Sequence, residues 1–575
     1  MNEYIPKGMV QKQYQWEHVN YYLYQHLLQQ NPFSKLQDVM DNLLKLQEKQ
    51  LLSLQKLADF ERISIPSTSV KIEFKPILEC VGELHDREYQ LLQEYLSYSE
   101  YFIPSSAHQL DIKDMVDNKI LQVNTLIGLK QTLSHLVKKD QNKKADYILE
   151  KGYRLERIIT GLNFPTVMTF DSDGTIYIAE AGFVYGLKPG KGRILRLESN
   201  RTLTEISNDF DGPVTGLHWH QGYFYIAEGS IAKKHGSGCG QISRITLGGK
   251  KETIVTGLKT CGDHYTGDVL FGPDGKLYFS VGTATNSVVV GLDNRLILKS
   301  DDPKFHDTPA RNSILAGVNF ITHDPLSTQP DVAVTGAYKP FGTASYDGEI
   351  IPGQLMATGV IYRCNPDGSD LQIVADGFRN TFGLRFSPFN GKLIVTDHGA
   401  DPRGSRSIRL DWDKVWEVTP QGWYGFPDFF SGLPVTLSHF HVTEQAKSTF
   451  VLKEHPPLAH QPLIRFQSHS ASMKFDFCTN ANFGHLGEIF VAQYGETGYE
   501  YQKELPGFKV ARANLETGQI TDFLVNPKGD AATNGPIRPI DAKFSPDGNA
   551  LYILDLGHMN RPQPNTGSLW KIVKI

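Results

Sequence analysis

The sequence predicts a multidomain α+β chain, with an all-α helical bundle over residues 1–150 and an all-β six-bladed propeller over residues 151–575. Two observations predict this. Glycine is scarce at the start: Gly8, Gly82 and Gly128 are the only ones in the first 150 residues, against 52 in the chain, and 26 of the 31 prolines follow Lys151. Both residues punctuate turns and interrupt helices, so a helical part precedes a turn-rich one. The second observation is a strand–turn–strand unit that recurs six times after Lys151.

The helical part reads as four segments. A first helix spans about Tyr14 to Gln30. The second follows Asn31-Pro32-Phe33, with Ser34 as N-cap and Gln37 three residues on, a capping-box pattern. Its apolar residues Leu36, Val39, Met40, Leu43, Leu54, Leu57 and Ala58 recur near the helical period. A third stripe runs through Ile77, Val81, Leu84, Leu91, Leu92 and Tyr95, and a fourth through Ile112, Met115, Val116, Val123, Leu126, Ile127, Leu133 and Val137. Four such stripes can bury one another in a bundle. No Glu has His three positions later, the spacing that di-iron bundles use; the nearest candidates are Glu79, Glu83, His85 and Glu88, and a solvated charged face accounts for them. The bundle is assigned no chemistry, and self-association or docking are the roles open to it.

The six repeats are 164–182, 213–230, 266–283, 381–400, 470–495 and 539–558. Each has alternating apolar strands around a turn rich in Gly, Asp or Pro, the hairpin signal. Outer-strand candidates such as GRILRLES, GQISRITL, GVIYRCN, KVARANL and GSLWKIVKI lie between copies, with large insertions after the third and fourth. Radial repetition of this unit is the propeller signature.

In a propeller, residues just before each first strand and just after each second strand meet at one face. The leading positions are Asn163, Asp211, Asp263-His264, Arg379-Asn380, His469 and Arg538; the trailing ones are Glu180, Glu228, Thr283, Asp397-His398, Gln493 and Asp555. Convergent polar groups at a concave mouth make this rim the candidate site. Each rim acid can either accept turn amides or join a calcium site, since oxygen ligands suit that ion. His264 has Asp263 beside it as a candidate orienting group. Arg379 needs an anionic companion at a channel mouth.

At these residues a family resemblance becomes specific. The segments GDHYTGDVLFGPDGKLYFSVG (262–282), DGFRNTFGLRFSPFNGKLIVTDHG (376–399) and GWYGFP (422–427) resemble the glucose/sorbosone dehydrogenase family of soluble quinoprotein sugar dehydrogenases. The resemblance runs through much of 152–575 and leaves the first 150 residues uncovered. It implies a six-bladed propeller holding pyrroloquinoline quinone (PQQ) and calcium. His264 would take the sugar hydroxyl proton, and Arg379 would stabilise developing charge. Asn380, Arg538, Thr283 and His398 would face the cofactor, and the carbonyls of Gly399 and Ala400 would hold calcium. Thr283 stands where the glucose enzymes carry an acid that supports the histidine, and His398 replaces a glutamine. The stretch AQYGETGYEYQKELPG has no match for the lysine that pairs with the quinone.

The expectation is therefore an oxidoreductase acting on a CH–OH group of a sugar or related alcohol. Two alternatives stand beside it: a non-catalytic ligand-binding propeller that has lost the quinone site, and a calcium-dependent lactonase-like hydrolase using Glu180, Glu228, Asp397 and Asp555. A formal net charge of -5 gives no general attraction to nucleic acid or anionic lipid. No membrane span or signal peptide is read, so a cytoplasmic location is the default, with non-classical export left open. Cys239 and Cys261 are read either as free thiols or as a pair closing a loop near His264.

Overall fold

The computed structural model describes residues 7–29, 37–60, scattered positions between 81 and 126, and 145–575 apart from 182–191, 211, 230–239, 261, 301–303, 328–330, 443–447, 496–504 and 560–562. The chain divides into two compact units, Met1–Lys143 and Lys144–Ile575.

In the first unit, helix α1 spans Lys7–Gln29 and α2 spans Gln37–Phe60. Leu23 and Tyr24 of α1 pack with Met40 and Leu43 of α2, and Val81, Leu84 and Leu126 complete the same core. All four expected stripes thus contribute to it, although much of the third and fourth lies outside the described residues. The core is polar on one side. The Lys119 ammonium is fully buried between the carboxylates of Glu17 and Glu88, and Gln47 donates to Glu17 at 2.7 Å. Glu88, one of the metal candidates, is thereby committed to a lysine; Glu79, Glu83 and His85 lie outside the described residues.

The second unit is the six-bladed propeller, and its blades follow the repeats. Blade one runs outward from Pro165–Phe170 through Ile176–Glu180 and Arg193–Leu197 to Leu203–Ser207. Blade two begins with Val214–His220 and Tyr223–Glu228, and blade three with Thr266–Phe271 and Leu277–Val281. Blade four begins with Thr381–Phe386 and Leu393–Asp397, blade five with Ser472–Phe477 and Ile489–Gln493, and blade six with Pro539–Phe544 and Ala550–Asp555. The two large insertions follow the third and fourth repeats and so fall inside blades three and four, ahead of their outer strands. In blade three, residues 282–359 intervene before the third strand, Val360–Cys364.

Ring closure uses the N-terminal side of this unit. Tyr153–Leu162 is the outermost strand of blade six, antiparallel to Gly567–Lys574 from Tyr153↔Lys574 to Leu162↔Gly567. Ile148–Leu149 adds a short fifth strand to blade five, so strand structure begins just ahead of the expected 150/151 boundary. Along the innermost strands, polar contacts tie the blades together: Arg385 of blade four donates to Asp268 of blade three at 2.6 Å, Lys474 of blade five lies 3.3 Å from the same carboxylate, and Asp541 of blade six accepts the Met168 backbone amide of blade one at 2.9 Å.

Cys364 and Cys478 are buried free thiols, while Cys239 and Cys261 lie outside the described residues. No described helix is long and apolar enough to cross a membrane.

Leu162 is fully buried among Phe164, Leu554 and Leu569 at the closure seam. Leu162→Ala should cost about 2–5 kcal/mol, read as a lowered denaturant midpoint. Ile321→Ala, at a side chain that is 71% exposed, should change stability by no more than about 0.5 kcal/mol.

Candidate functional site

Strand register decides which residues share the mouth. Glu180, Glu228, Val281, Asp397, Gln493 and Asp555 each pair with the first residue of their own innermost strand. The blade-three equivalent of the trailing acids is therefore Val281, and Thr283 lies two residues further on, beyond the strand. On the leading side, His264 and Arg379 each stand two residues before an innermost strand, at the same place in adjacent blades. Asn380 and Arg538 each stand one residue before theirs, whereas His469 is three before Ser472.

The trailing acids are each engaged within their own blade, three of them as caps. Glu180 accepts the Asn163 amide at 2.7 Å and pairs with Arg193. Asp397 accepts the amides of Arg379 and Asn380 at 3.2 and 2.7 Å, and Asp555 those of Ile537 and Arg538 at 3.0 and 2.7 Å. Glu228 binds Ser243 and Lys251, each at 2.8 Å. Gln493 donates to the Ser472 hydroxyl at 3.1 Å. An acid at the end of the second strand thus satisfies amides at the start of the first, where no ladder partner exists. Among the described residues, no group of three or more His, Cys, Asp or Glu side chains is arranged to hold a metal. Asp211 lies outside the described residues.

His264 is 9% exposed. Its Nδ1 lies 2.9 Å from the Thr283 carbonyl and 3.1 Å from Thr283 Oγ1, whose own proton goes to the Thr285 carbonyl at 2.7 Å. Both neighbours of Nδ1 therefore act as acceptors, so Nδ1 carries the proton and Nε2 is the bare nitrogen. Nε2 makes no hydrogen bond among the described residues. Burial, with Arg379 and Arg403 nearby, holds the imidazole pKa well below its ordinary value. Asp263 is not the orienting group: its carboxylate turns to Arg403 at 2.7 Å and to the Asn294 amide at 3.0 Å. Gly282 sits where blades three and four meet, and a Cβ there would lie 2.5 Å from His264 Cβ and 2.7 Å from Asn380 Oδ1. Any other residue would push these two apart.

Arg379 is 4% exposed. It donates to the carbonyl and amide oxygens of Asn286 at 3.1 and 2.8 Å and to Asp401 at 3.3 Å. Asp401 is its anionic companion, and it also meets Arg403 at 3.2 Å and His469 at 3.3 Å. Burial opposes that carboxylate's charge, but His469, Arg379 and Arg403 outweigh burial and hold its pKa low. Arg403 binds Asp293 as well, at 2.9 Å. Burial and the neighbouring Asp263 raise Asp293 to about 6, against the pull of Arg403.

Both nitrogens of His398 are used. Asn380 Nδ2 donates to Nδ1 at 2.9 Å, Nε2–H donates to the Ser472 carbonyl at 3.0 Å, and the ring stacks on Phe382. His398 therefore orients Asn380. Arg538 departs from its expected place as a free cation. Its guanidinium is fully buried, paired with Asp530 at 2.9 and 3.0 Å and bonded to the carbonyls of Tyr494 and Gly495.

The Gly399–Ala400 peptides are held from behind, with Asp413 accepting the Gly399 amide and Asp411 the Ala400 amide, both at 2.8 Å. Their buried carbonyl oxygens accept no hydrogen bond among the described residues. Orphaned buried acceptors suit a bound cation or water. Gly399 is required there, because a Cβ would lie 2.3 Å from the Asp411 carbonyl oxygen. Asn286, Asp401, Arg403, Asp411 and Asp413 went unread in the sequence; they sit in insertions or outer strands, which carry no repeat signal.

No family model matches the chain. Quinoprotein glucose dehydrogenase B of Acinetobacter calcoaceticus is 24% identical over 292 residues, 47% of this chain and 52% of that protein. The chain thus spans about half the length of this curated relative. The resemblance to soluble quinoprotein sugar dehydrogenases extends beyond the quoted motifs accordingly. Among solved structures, the holo form of the pyranose dehydrogenase PQQ domain from Coprinopsis cinerea is 15% identical with a TM-score of 0.47, over 75% of this chain and 98% of that one. The calcium structure of a Trichoderma reesei protein of Carbohydrate-Active Enzymes family AA12 is 17% identical with a TM-score of 0.45, over 76% and 99%.

Because His264 resists protonation when folded, the unfolded chain takes up that proton first as the pH falls below about 6.5. Its contribution to stability is lost on acidification, by up to about 1.4 kcal/mol per pH unit. His264→Gln should flatten the acid limb of the stability–pH curve by that amount, measured by denaturant unfolding between about pH 6.5 and 4.5; an unchanged slope would contradict the neutral buried imidazole.

Proposed function

We propose that the propeller is an oxidoreductase acting on a CH–OH group of a sugar or related alcohol, in the manner of the quinoprotein sugar dehydrogenases. The observation that carries this reading is the bare Nε2 of a neutral His264, beside Asn380 and within the field of Arg379. Removing a C–H hydride is eased when the adjacent hydroxyl loses its proton, and a neutral imidazole held in one tautomer is suited to accept it.

The donor types fit PQQ with calcium at the reacting end. Gly399 and Ala400 offer two carbonyl oxygens for the ion, their peptides fixed by Asp411 and Asn286, Asn380 offers an amide fixed by His398, and Arg379 offers a permanent positive charge. Bound there, PQQ with calcium would supply a two-electron acceptor beside the base. Thr283 acts through His264, holding Nδ1–H so that Nε2 receives the hydroxyl proton. Asp401 keeps Arg379 in place. Arg538 is not a cofactor contact in this reading, because its guanidinium is fully buried and spends four of its five N–H donors on Asp530 and two carbonyls. The burial of Arg538 favours a second reading, a binding propeller without redox activity. The lactonase-like alternative loses support, since Glu180, Asp397 and Asp555 cap their own blades and Glu228 is held by Ser243 and Lys251.

Protein reconstituted with PQQ and calcium should reduce a dye acceptor with some member of an aldose panel, and chelation should abolish turnover until calcium is returned. His264→Ala should keep cofactor uptake and lose turnover by about 10²- to 10⁴-fold. A folded protein that neither takes up the cofactor nor oxidises any sugar would end this reading, and cofactor or sugar binding without turnover would favour the second one.

A further inference from the structure

Asp307 is a buried carboxylate in the blade-three insertion that the capping pattern does not explain. It is fully buried, and among the described residues it makes no ion pair. Burial raises its pKa against the opposing hydrogen bonds. An uncompensated interior carboxylate is costly, so the groups it holds merit identification.

Those groups belong to the loop behind the base. Oδ1 accepts the Ala284 amide at 2.6 Å and the Thr358 hydroxyl at 2.7 Å, and Oδ2 accepts the Thr285 hydroxyl at 2.5 Å. Thr285 in turn accepts the Thr283 hydroxyl on its carbonyl at 2.7 Å, and Thr283 receives Nδ1–H of His264. The Ala284 carbonyl accepts the amide of Asp263, the residue before His264, at 2.9 Å. Residues 283–285 are therefore gripped by Asp307 on one side and grip His264 on the other.

We infer that Asp307 is a positioning residue for His264, fixing the Thr283–Thr285 loop so that Nδ1–H stays on Thr283 and the Nε2 lone pair faces the mouth. It is a remote counterpart of a carboxylate placed directly on a catalytic histidine: it supplies geometry through two intervening residues and no direct charge contact. It touches neither substrate nor cofactor. The inference rests on His264 being the base of the proposed reaction, but its first readout does not require turnover.

The experiment is nitrogen NMR of the full chain labelled at histidine, with His264 assigned by His264→Gln, on Asp307→Ala and Asp307→Asn. The unsubstituted protein should show a neutral Nδ1–H tautomer. Asp307→Ala should give mixed tautomers and, if the protein oxidises sugars, a kcat lowered roughly 10- to 100-fold with KM within about three-fold. Asp307→Asn keeps the oxygen that accepts from Ala284 and Thr358, and its Nδ2–H can donate to the Thr285 hydroxyl in the reversed sense, so it should restore both. An unchanged tautomer in Asp307→Ala, or an Asp307→Asn as impaired as the alanine, would overturn the inference. Should Asp307→Ala fail to fold, Thr285→Val removes one of the same links, and an unaltered tautomer there would overturn it equally. Loss of all sugar oxidation with the tautomer pattern as expected would count against the proposed function and not against this role of Asp307.

Discussion

Closure of the ring is the constraint on which the site depends. The antiparallel seam between Tyr153–Leu162 and Gly567–Lys574 joins the two ends of the propeller through one sheet. A closed ring has no free blade edges along the closure, and each blade is then held at a fixed angle to its neighbours. Only then do residues two places before the innermost strands of blades three and four, His264 and Arg379, come to one mouth. The ion pairs of Asp268 with Arg385 and Lys474 tie blades three, four and five from within.

Within that frame the mouth is built in two layers. The first is repetitive: an acid or amide at the end of the second strand satisfies exposed amides at the start of the first, as at Glu180, Asp397 and Asp555. The second layer is unique and comes from the insertions. Asn286 from blade three and Asp401 and Arg403 from blade four meet over Arg379, so the cations of the mouth are counterbalanced by Asp263, Asp293 and Asp401. Blade three is the exception in the first layer. Val281 cannot cap, and the polar work passes to Thr283 and, behind it, Asp307.

This division explains what was legible in the sequence. The six hairpins could be read because each repeats an alternating apolar pattern around a turn, and the observed strands follow those copies closely. His264, Arg379 and Asn380 could be read because they stand at repeat-equivalent places. Thr283 was misplaced because its two-residue offset from Val281 shows only in the pairing of Val281 with Thr266. The rim acids looked like candidate ligands because capping and metal binding draw on the same residue type. Arg538 looked available because nothing in its neighbourhood announces the bidentate pairing with Asp530. Asp401, Arg403 and Asn286 were illegible for a different reason: their contacts join loops more than a hundred residues apart, and no periodicity links them.

The central claim is that side chains from two blades share one mouth and act on each other electrically. The most direct measurement is the pKa of His264 by histidine nitrogen NMR, compared between the unsubstituted protein and Arg379→Gln. The account predicts a rise when the guanidinium is removed, because after burial itself Arg379 opposes imidazole protonation most strongly. A His264 titration that does not move would contradict it.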